Sequence, residues 1–376
     1  MKAKITSSAI FFILSMLLFA LGGILLFVLP QRTYSENENR YLTTFELPAV
    51  SSFLDTSMQQ NLTDGASDQF AGRDLWMKFA TTLQRAVGFQ DIGGVYFGQD
   101  GYYFERVLDS HLSETRYSNN LRSIEQFAHT YHTDVCFLPV PSKCCVLSDL
   151  LPANAVFYQA DKLYAQAGQI LQQSALLDLR PLFAQEKQDL QLYFKTDHHW
   201  TMDGAYQAYT SWSGIHGRTA APLTRFVPKC ASDMFFGTLY SKAPDFHAQP
   251  DRFFLPTKIP EAEVIIDGKS KDTIYNLDKL QTKDKYAVYF GGNFGRIDIH
   301  TKNSQNRGTL LVIKDSFANS LIPFLMADYA RISMIDFRYF NKPVSDLLQE
   351  IQPDETLILY ELSNFAQDSN FFKILK

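Results

Sequence analysis

The chain has 376 residues, room for two domains or one large decorated one. Its content of 46% hydrophobic, 14% aromatic and 20% charged residues excludes wholesale disorder, collagen and coiled coil. A formal charge of −5 and a pI near 5.9 argue against a nucleic-acid partner, which would need a basic face to neutralise phosphates.

Residues 9–29 (AIFFILSMLLFALGGILLFVL) carry no charge, and a helix of about 20 such residues crosses a bilayer core. A cleavable signal peptide has a shorter apolar region followed by a small-x-small site, whereas this run ends in Val28, Leu29 and Pro30. An uncleaved single-pass anchor is therefore expected. Lys2 and Lys4 precede it, which by the positive-inside rule puts residues 1–8 in the cytoplasm and all that follows Pro30 outside the cell membrane. No basic cluster suited to anionic lipid follows, so the anchor itself is the expected membrane contact.

Residues 30–60 are polar and read as a stalk, leaving 61–376 as the extracytoplasmic domain. Phe70, Leu75, Trp76, Phe79 and Leu83 then recur at three-to-four-residue spacing, as in a half-buried helix. DGY at 100–102 marks a turn. Beyond it, short apolar strands at 134–140, 175–179, 309–313, 331–336 and 356–360 alternate with amphipathic helices at 115–130, 159–173, 317–329 and 344–351. That alternation predicts an α/β fold, a three-layer α/β/α sandwich with a mainly parallel sheet. Weak periodicity and frequent Pro, Lys and Asp at 217–285 suggest a loop-rich or β-rich insertion.

Cys136, Cys144, Cys145 and Cys230 allow one or two disulfides in an oxidising compartment, with three possible full pairings and no way to choose among them. Adjacent cysteines are poorly placed to ligate one ion, and there is no CxxC, so no metal is expected. No cofactor is expected either.

Two constellations could carry chemistry. The first is KTDHHWT at 195–201, just before a helix beginning near Asp203. An Asp close in sequence to a His can accept its Nδ1 proton and leave Nε2 free to take a proton from a nucleophile, which fits Asp197 and His199. Histidines held only by structural hydrogen bonds are the plainer alternative. The second is TLLVIKDSFANS at 309–320, a buried strand running into an apolar helix with Asp315 and Ser316 at the junction. Ligands meet the carboxyl ends of strands in open parallel sheets, and a helix N-terminus favours a developing oxyanion. Asp and Ser are equally the preferred helix N-caps and need no catalytic reason to be there. A third, weaker feature is Gly291-Gly292-Asn293, where an Asn side chain could donate to an oxyanion or simply occupy a turn.

DHHW at 197–200 with VIKDSFANSL at 312–321 resembles the DHHW family of exported bacterial proteins. That family is related to alginate O-acetyltransferases of the AlgX and AlgJ type and, through them, to SGNH hydrolases. SENENRYL at 35–42, FAGRDLW at 70–76, GGVYFGQDGYYFE at 93–105, VPSK at 140–143 and DFRYF at 336–340 extend the likeness over nearly the whole chain beyond the anchor. The resemblance implies an SGNH-like fold with permuted motif order, in which the Asp-x-His-Trp motif precedes the Ser. Asp197 would then be the orienting acid, His199 the base and Ser316 the nucleophile, with Asn293, His198 and Trp200 as candidate oxyanion or substrate contacts. KDSF stands where typical members have GDS, so Lys314 replaces a glycine, and His198 is a rival base.

The expected activity is O-acyl, above all O-acetyl, transfer or hydrolysis on a cell-envelope or secreted polysaccharide through an acyl-enzyme. By resemblance, an acyl donor or a membrane-bound O-acyltransferase would be the partner. Two alternatives stay open: an inactive glycan-binding or scaffold component, and a metal-dependent hydrolase using Asp197, His198 and His199.

Overall fold

The computed structural model describes residues 6–38, 40–45, 56–302 and 308–376. They fall into two compact units, Met1–Phe89 with Ala243–His247, and Gln90–Lys242 with Ala248–Lys376.

The first unit begins with helix Ser7–Val28, capped by the Thr6 hydroxyl and apolar on every side. At about 1.5 Å per residue it is about 33 Å long, enough to cross a bilayer core. Lys2 and Lys4 lie outside the described residues, as do 46–55 of the expected stalk. Helix Ser57–Gln69 follows. Near its end Asp68 accepts from Arg40 Nη1 at 2.9 Å and from the Thr43 amide at 2.9 Å, which ties residues 40–43 down; the Arg40 hydrogen bond holds the Asp68 carboxyl below its usual range. Helix Arg73–Ala86 forms where the apolar spacing predicts one. Its apolar residues are not half-buried, however: Leu75, Trp76, Phe79 and Leu83 are all exposed, because the polar face is the one that packs inward.

In the second unit an eight-stranded sheet forms the framework. Its spatial order is Lys269–Lys271, Ala262–Ile266, Arg296–Thr301, Arg331–Ile335, Thr309–Lys314, Glu355–Glu361, Asp134–Val140 and Ala175–Leu176. From Arg331–Ile335 onward all neighbours are parallel, and the first three strands add an antiparallel edge. Period-2 alternation sends the two sides of each strand into two cores. Leu311, Ile313, Ile335, Phe137 and Ile358 pack with Phe127 of helix Glu114–Tyr131, Tyr164 of Ala160–Ile170 and Leu347 of Val344–Ile351. Leu310, Val312, Met334, Leu138 and Leu357 pack with Tyr209 and Trp212 of Met202–Ile215 and with Phe317 and Phe324. The result is the expected mixed α/β sandwich with a mostly parallel sheet.

Two expectations need correction. The single helix over 317–329 is instead a 3-10 turn, Ser316–Ser320, and a short helix, Ile322–Leu325. Pro323 explains the break, since it has no N–H to give and its ring crowds the carbonyl one turn back. The stretch 217–285 contains an antiparallel pair, Pro228–Phe235 with Asp251–Pro256, and also two strands of the main sheet. Sequence periodicity was too short there to reveal either.

All four cysteines are free thiols. Thermal unfolding monitored by circular dichroism should give the same midpoint with and without dithiothreitol, and four thiols should titrate in denaturant without prior reduction. A midpoint that falls on reduction would require a disulfide that the fold does not contain.

Candidate active site

The loop 195–199 and the turn after strand Thr309–Lys314 meet at the carboxyl end of the parallel strands. Backbone chemistry fixes the first. Asp251 accepts from the Lys195 amide at 2.7 Å, the Thr196 amide at 2.9 Å and the Thr196 hydroxyl at 2.8 Å. From beneath, the buried Lys143 ammonium donates to the carbonyls of Tyr103 (2.7 Å), Lys195 (3.2 Å) and Asp197 (2.6 Å). Burial pushes that lysine down to about 8.

The turn that holds Ser316 is fixed by its neighbour. Asp315 caps the 3-10 segment by accepting from the Phe317 amide at 2.9 Å, and its other oxygen accepts from the Glu361 amide at 2.9 Å and Asn364 Nδ2 at 3.0 Å. Trp200 clamps the far side, its indole N–H shared between the Phe317 carbonyl (3.0 Å) and Ser320 Oγ (2.8 Å).

These supports bring three residues into line. Ser316 Oγ lies 2.8 Å from His199 Nε2, and His199 Nδ1 lies 2.6 Å from Asp197 Oδ1. The same carboxylate oxygen accepts from the His199 amide at 2.9 Å, while Oδ2 accepts from the Thr238 amide at 2.8 Å and its hydroxyl at 3.1 Å. Burial opposes ionisation of Asp197, but the two adjacent imidazoles and these hydrogen bonds outweigh it and hold the carboxyl well below its usual range. A carboxylate on Oδ1 assigns the imidazole proton to Nδ1 and leaves Nε2 as acceptor for the serine hydroxyl. Burial, reinforced by His198, pushes the His199 imidazole down to about 4, against the pull of Asp197. The resting ring is therefore neutral, the form able to take a proton.

The other candidates have different places. His198 is half-buried, its ring 3.8 Å from that of His199 between centroids, and its Nδ1 meets Thr238 Oγ1 at 2.6 Å. No described hydrogen bond links it to Ser316. Trp200 is fully buried, so its expected role as a substrate contact is corrected to that of a strut. Asn293 Oδ1 accepts from Lys314 Nζ at 3.1 Å and Asn319 Nδ2 at 3.2 Å, which joins it to the turn that carries Ser316. Asp197, His198 and His199 also place one ligand atom each within 4.8 Å of one another, but His199 Nδ1 and Asp197 Oδ1 already share a proton between them.

Several residues of the site carried no sequence signal. Tyr286 stacks on the His199 ring, with centroids 3.8 Å apart and planes 9° apart, and its hydroxyl donates to the Ser316 carbonyl at 3.2 Å. Gly237 lets the chain pass Asp197 so closely that an added Cβ would lie 2.2 Å from the Asp197 Cβ. Thr238 and Asp251 sit in the stretch that reads as an insertion. Lys143 was visible only as part of VPSK.

Comparisons with known proteins bear on the family and the fold. Residues 161–335 match the family model described as DHHW protein, and residues 95–214 match that of the SGNH hydrolase-like domain of acetyltransferase AlgX. A DHHW family protein from Eubacterium siraeum superposes with a TM-score of 0.63 at 20% identity over 76% of this chain and 95% of its own. Bacillus cereus PatB1 gives 0.60 at 23% identity over 73% and 97%, and its structure with a sulfonyl adduct gives 0.61 at 21% over 75% and 97%. At these identities the likeness is one of fold. No curated protein sequence matches the chain.

The direction of the His199 shift is measurable. Ring ¹⁵N chemical shifts recorded from pH 8 downward should show His199 neutral, protonated on Nδ1, until well below the ordinary value of 6.5. Because its folded pKa is the lower one, the associated stability is fully present above 6.5 and is lost as the pH falls from there toward about 4. A midpoint at or above 6.5 would contradict the burial argument.

Proposed function

We propose, from the matches of residues 161–335 to the DHHW family model and of residues 95–214 to that of the SGNH hydrolase-like domain of acetyltransferase AlgX, that the chain is a DHHW-family serine O-acyltransferase or esterase acting on an envelope or secreted glycan. The observation that carries the proposal is the unbroken relay from Ser316 Oγ through His199 to the buried Asp197. At family level, acetyl transfer is supported by the AlgX match.

In the proposed reaction Ser316 Oγ attacks the acyl carbonyl carbon as its proton passes to His199 Nε2. Asp197 stabilises the imidazolium that forms, and the stacked Tyr286 ring faces that charge. The tetrahedral intermediate collapses to an acyl-serine when His199 returns the proton to the departing alcohol. A sugar hydroxyl, or water, then gives its proton to His199 and attacks the acyl carbon, and the ester bond to Ser316 breaks as His199 returns that proton to Ser316 Oγ. Among the described residues no hydrogen bond uses Asn293 Nδ2, so that group is the proposed oxyanion donor. The solved sulfonyl adduct of PatB1 is in keeping with a nucleophile in this fold.

The proposal includes an extracytoplasmic site tethered by Ser7–Val28, its N-terminus in the cytoplasm, with the reacting residues in the unit Gln90–Lys242 with Ala248–Lys376; the expected division into a stalk at 30–60 and a domain at 61–376 gives way to this one, because helix Ser57–Gln69 crosses it and Asp68 ties residues 40–43 down. An acyl donor outside the cell, or a membrane-bound acyltransferase that supplies one, is the proposed partner.

With the detergent-solubilised full chain and p-nitrophenyl acetate, Ser316→Ala and His199→Ala should each lower turnover by about 10³-fold or more, with unchanged circular dichroism. His198→Ala should retain most activity, and EDTA should not reduce it. An arylsulfonyl fluoride should add one adduct by intact mass to the wild type and none to Ser316→Ala. Turnover that survives Ser316→Ala would overturn the serine, and loss in EDTA would favour a cation held by Asp197, His198 and His199.

A further inference from the structure

Helix Arg73–Ala86 is amphipathic with its polarity reversed. The face turned into the first unit is the polar one. Thr81 is buried, Thr82 Oγ1 donates to Asp245 Oδ1 at 3.0 Å, and Arg85 pairs with the same buried carboxylate. At its start Arg73 pairs with Glu38, and Asp74 accepts from Asn37 Nδ2 at 2.5 Å. The outward face presents Leu75, Trp76, Phe79 and Leu83, 46 to 61% exposed, and continues into Val87 and Phe89, 67% and 59% exposed. A contiguous apolar strip of this kind marks an interaction surface.

What covers it follows from where it starts. The Phe70 ring lies over Gly22 of Ser7–Val28 so closely that a Cβ there would meet Phe70 Cε2 at 3.3 Å. Gln69 accepts from the Arg32 amide at 2.8 Å and donates to its carbonyl at 2.9 Å, and Arg32 lies 3.6 Å from Asp74. Residues 69–74 are thus held against the C-terminal end of the apolar helix. Phe70, Trp76 and Phe79 form an edge-to-face ladder leading away from it, with centroids 6.4 and 6.2 Å apart. At about 21 Å the helix is too short to span a core of about 30 Å, and Arg73, Asp74, Lys78 and Arg85 would not enter one. Aromatic and aliphatic side chains on one face and charges on the other suit a helix lying in the headgroup boundary.

We propose that the Leu75, Trp76, Phe79 and Leu83 face of this helix lies in the bilayer interface at the C-terminal end of Ser7–Val28, a second membrane contact besides the span. The inference rests on the reading of Ser7–Val28 as a membrane anchor.

The test uses the full chain in phosphatidylethanolamine and phosphatidylglycerol vesicles with brominated acyl chains. Of the three tryptophans, Trp200 and Trp212 are fully buried, so Trp76 supplies the accessible emission. Bromolipid should quench a component that disappears in Trp76→Phe, and iodide should not reach it. The double substitution Phe79→Glu with Leu83→Glu should abolish the bromolipid quenching and restore quenching by iodide. Iodide quenching of wild-type Trp76 in vesicles would overturn the proposal, as would shielding from both quenchers, which would indicate a protein partner. An alkaline carbonate wash separates the two readings: release of the wild type sinks the anchor, while retention without bromolipid quenching sinks only the interfacial helix.

Discussion

The site depends on keeping one carboxylate ionised inside the protein. An unpaired buried charge is among the costliest features a fold can carry, and here the cost is met by saturating Asp197 with donors. Oδ1 takes the His199 amide and Nδ1, and Oδ2 takes the Thr238 amide and hydroxyl. The surrounding sequence follows from that arrangement. Only a residue without a Cβ fits at Gly237, where the chain must come close enough to offer the next amide. Asp251 and Lys143 hold the loop's own amides and carbonyls, so that the carboxylate cannot turn away from its donors.

Topology does the rest. Strand Thr309–Lys314 lies between two parallel neighbours, so its carboxyl end points into the crevice where loops from other strands converge. Ser316 and His199, 117 positions apart, meet there at 2.8 Å. The contact is braced from both sides. Trp200, next to the histidine, grips the turn after the serine, while Tyr286 lies flat on the imidazole and holds the serine's carbonyl. Each brace joins one half of the site to the other, so displacement of either loop would break hydrogen bonds in both.

The strands were legible because a strand buried on both faces is a continuous apolar run, and DVCFLPV and TLLVI stand out as such. Asp197, His199 and Ser316 were legible as residue types in a suggestive order, and the resemblance turned that order into roles. Tyr286 and Thr238 were not, because each acts through a contact between segments remote in sequence. The reversed helix misled for a different reason. Spacing reports that an apolar face exists but not which side of it the protein occupies, and the unit's own charges, Asp245 and Glu38, claimed the polar side.

Lys314 shows how the departure from a glycine is absorbed. Its side chain is buried with its ammonium on Asn319 Oδ1 at 2.8 Å and Asn293 Oδ1 at 3.1 Å, and burial pushes it down to about 8. A glycine there would leave two amide oxygens to find another donor. With the lysine in place, Asn293 is fixed oxygen-first toward the turn, and its Nδ2 necessarily occupies the opposite end of the planar amide. Under the proposed reaction this gives the lysine a use that a glycine could not have. It sets the direction of an oxyanion donor from beneath, much as Lys143 sets the Asp197 loop, and the two buried ammonium groups support opposite halves of the site without touching the reacting atoms.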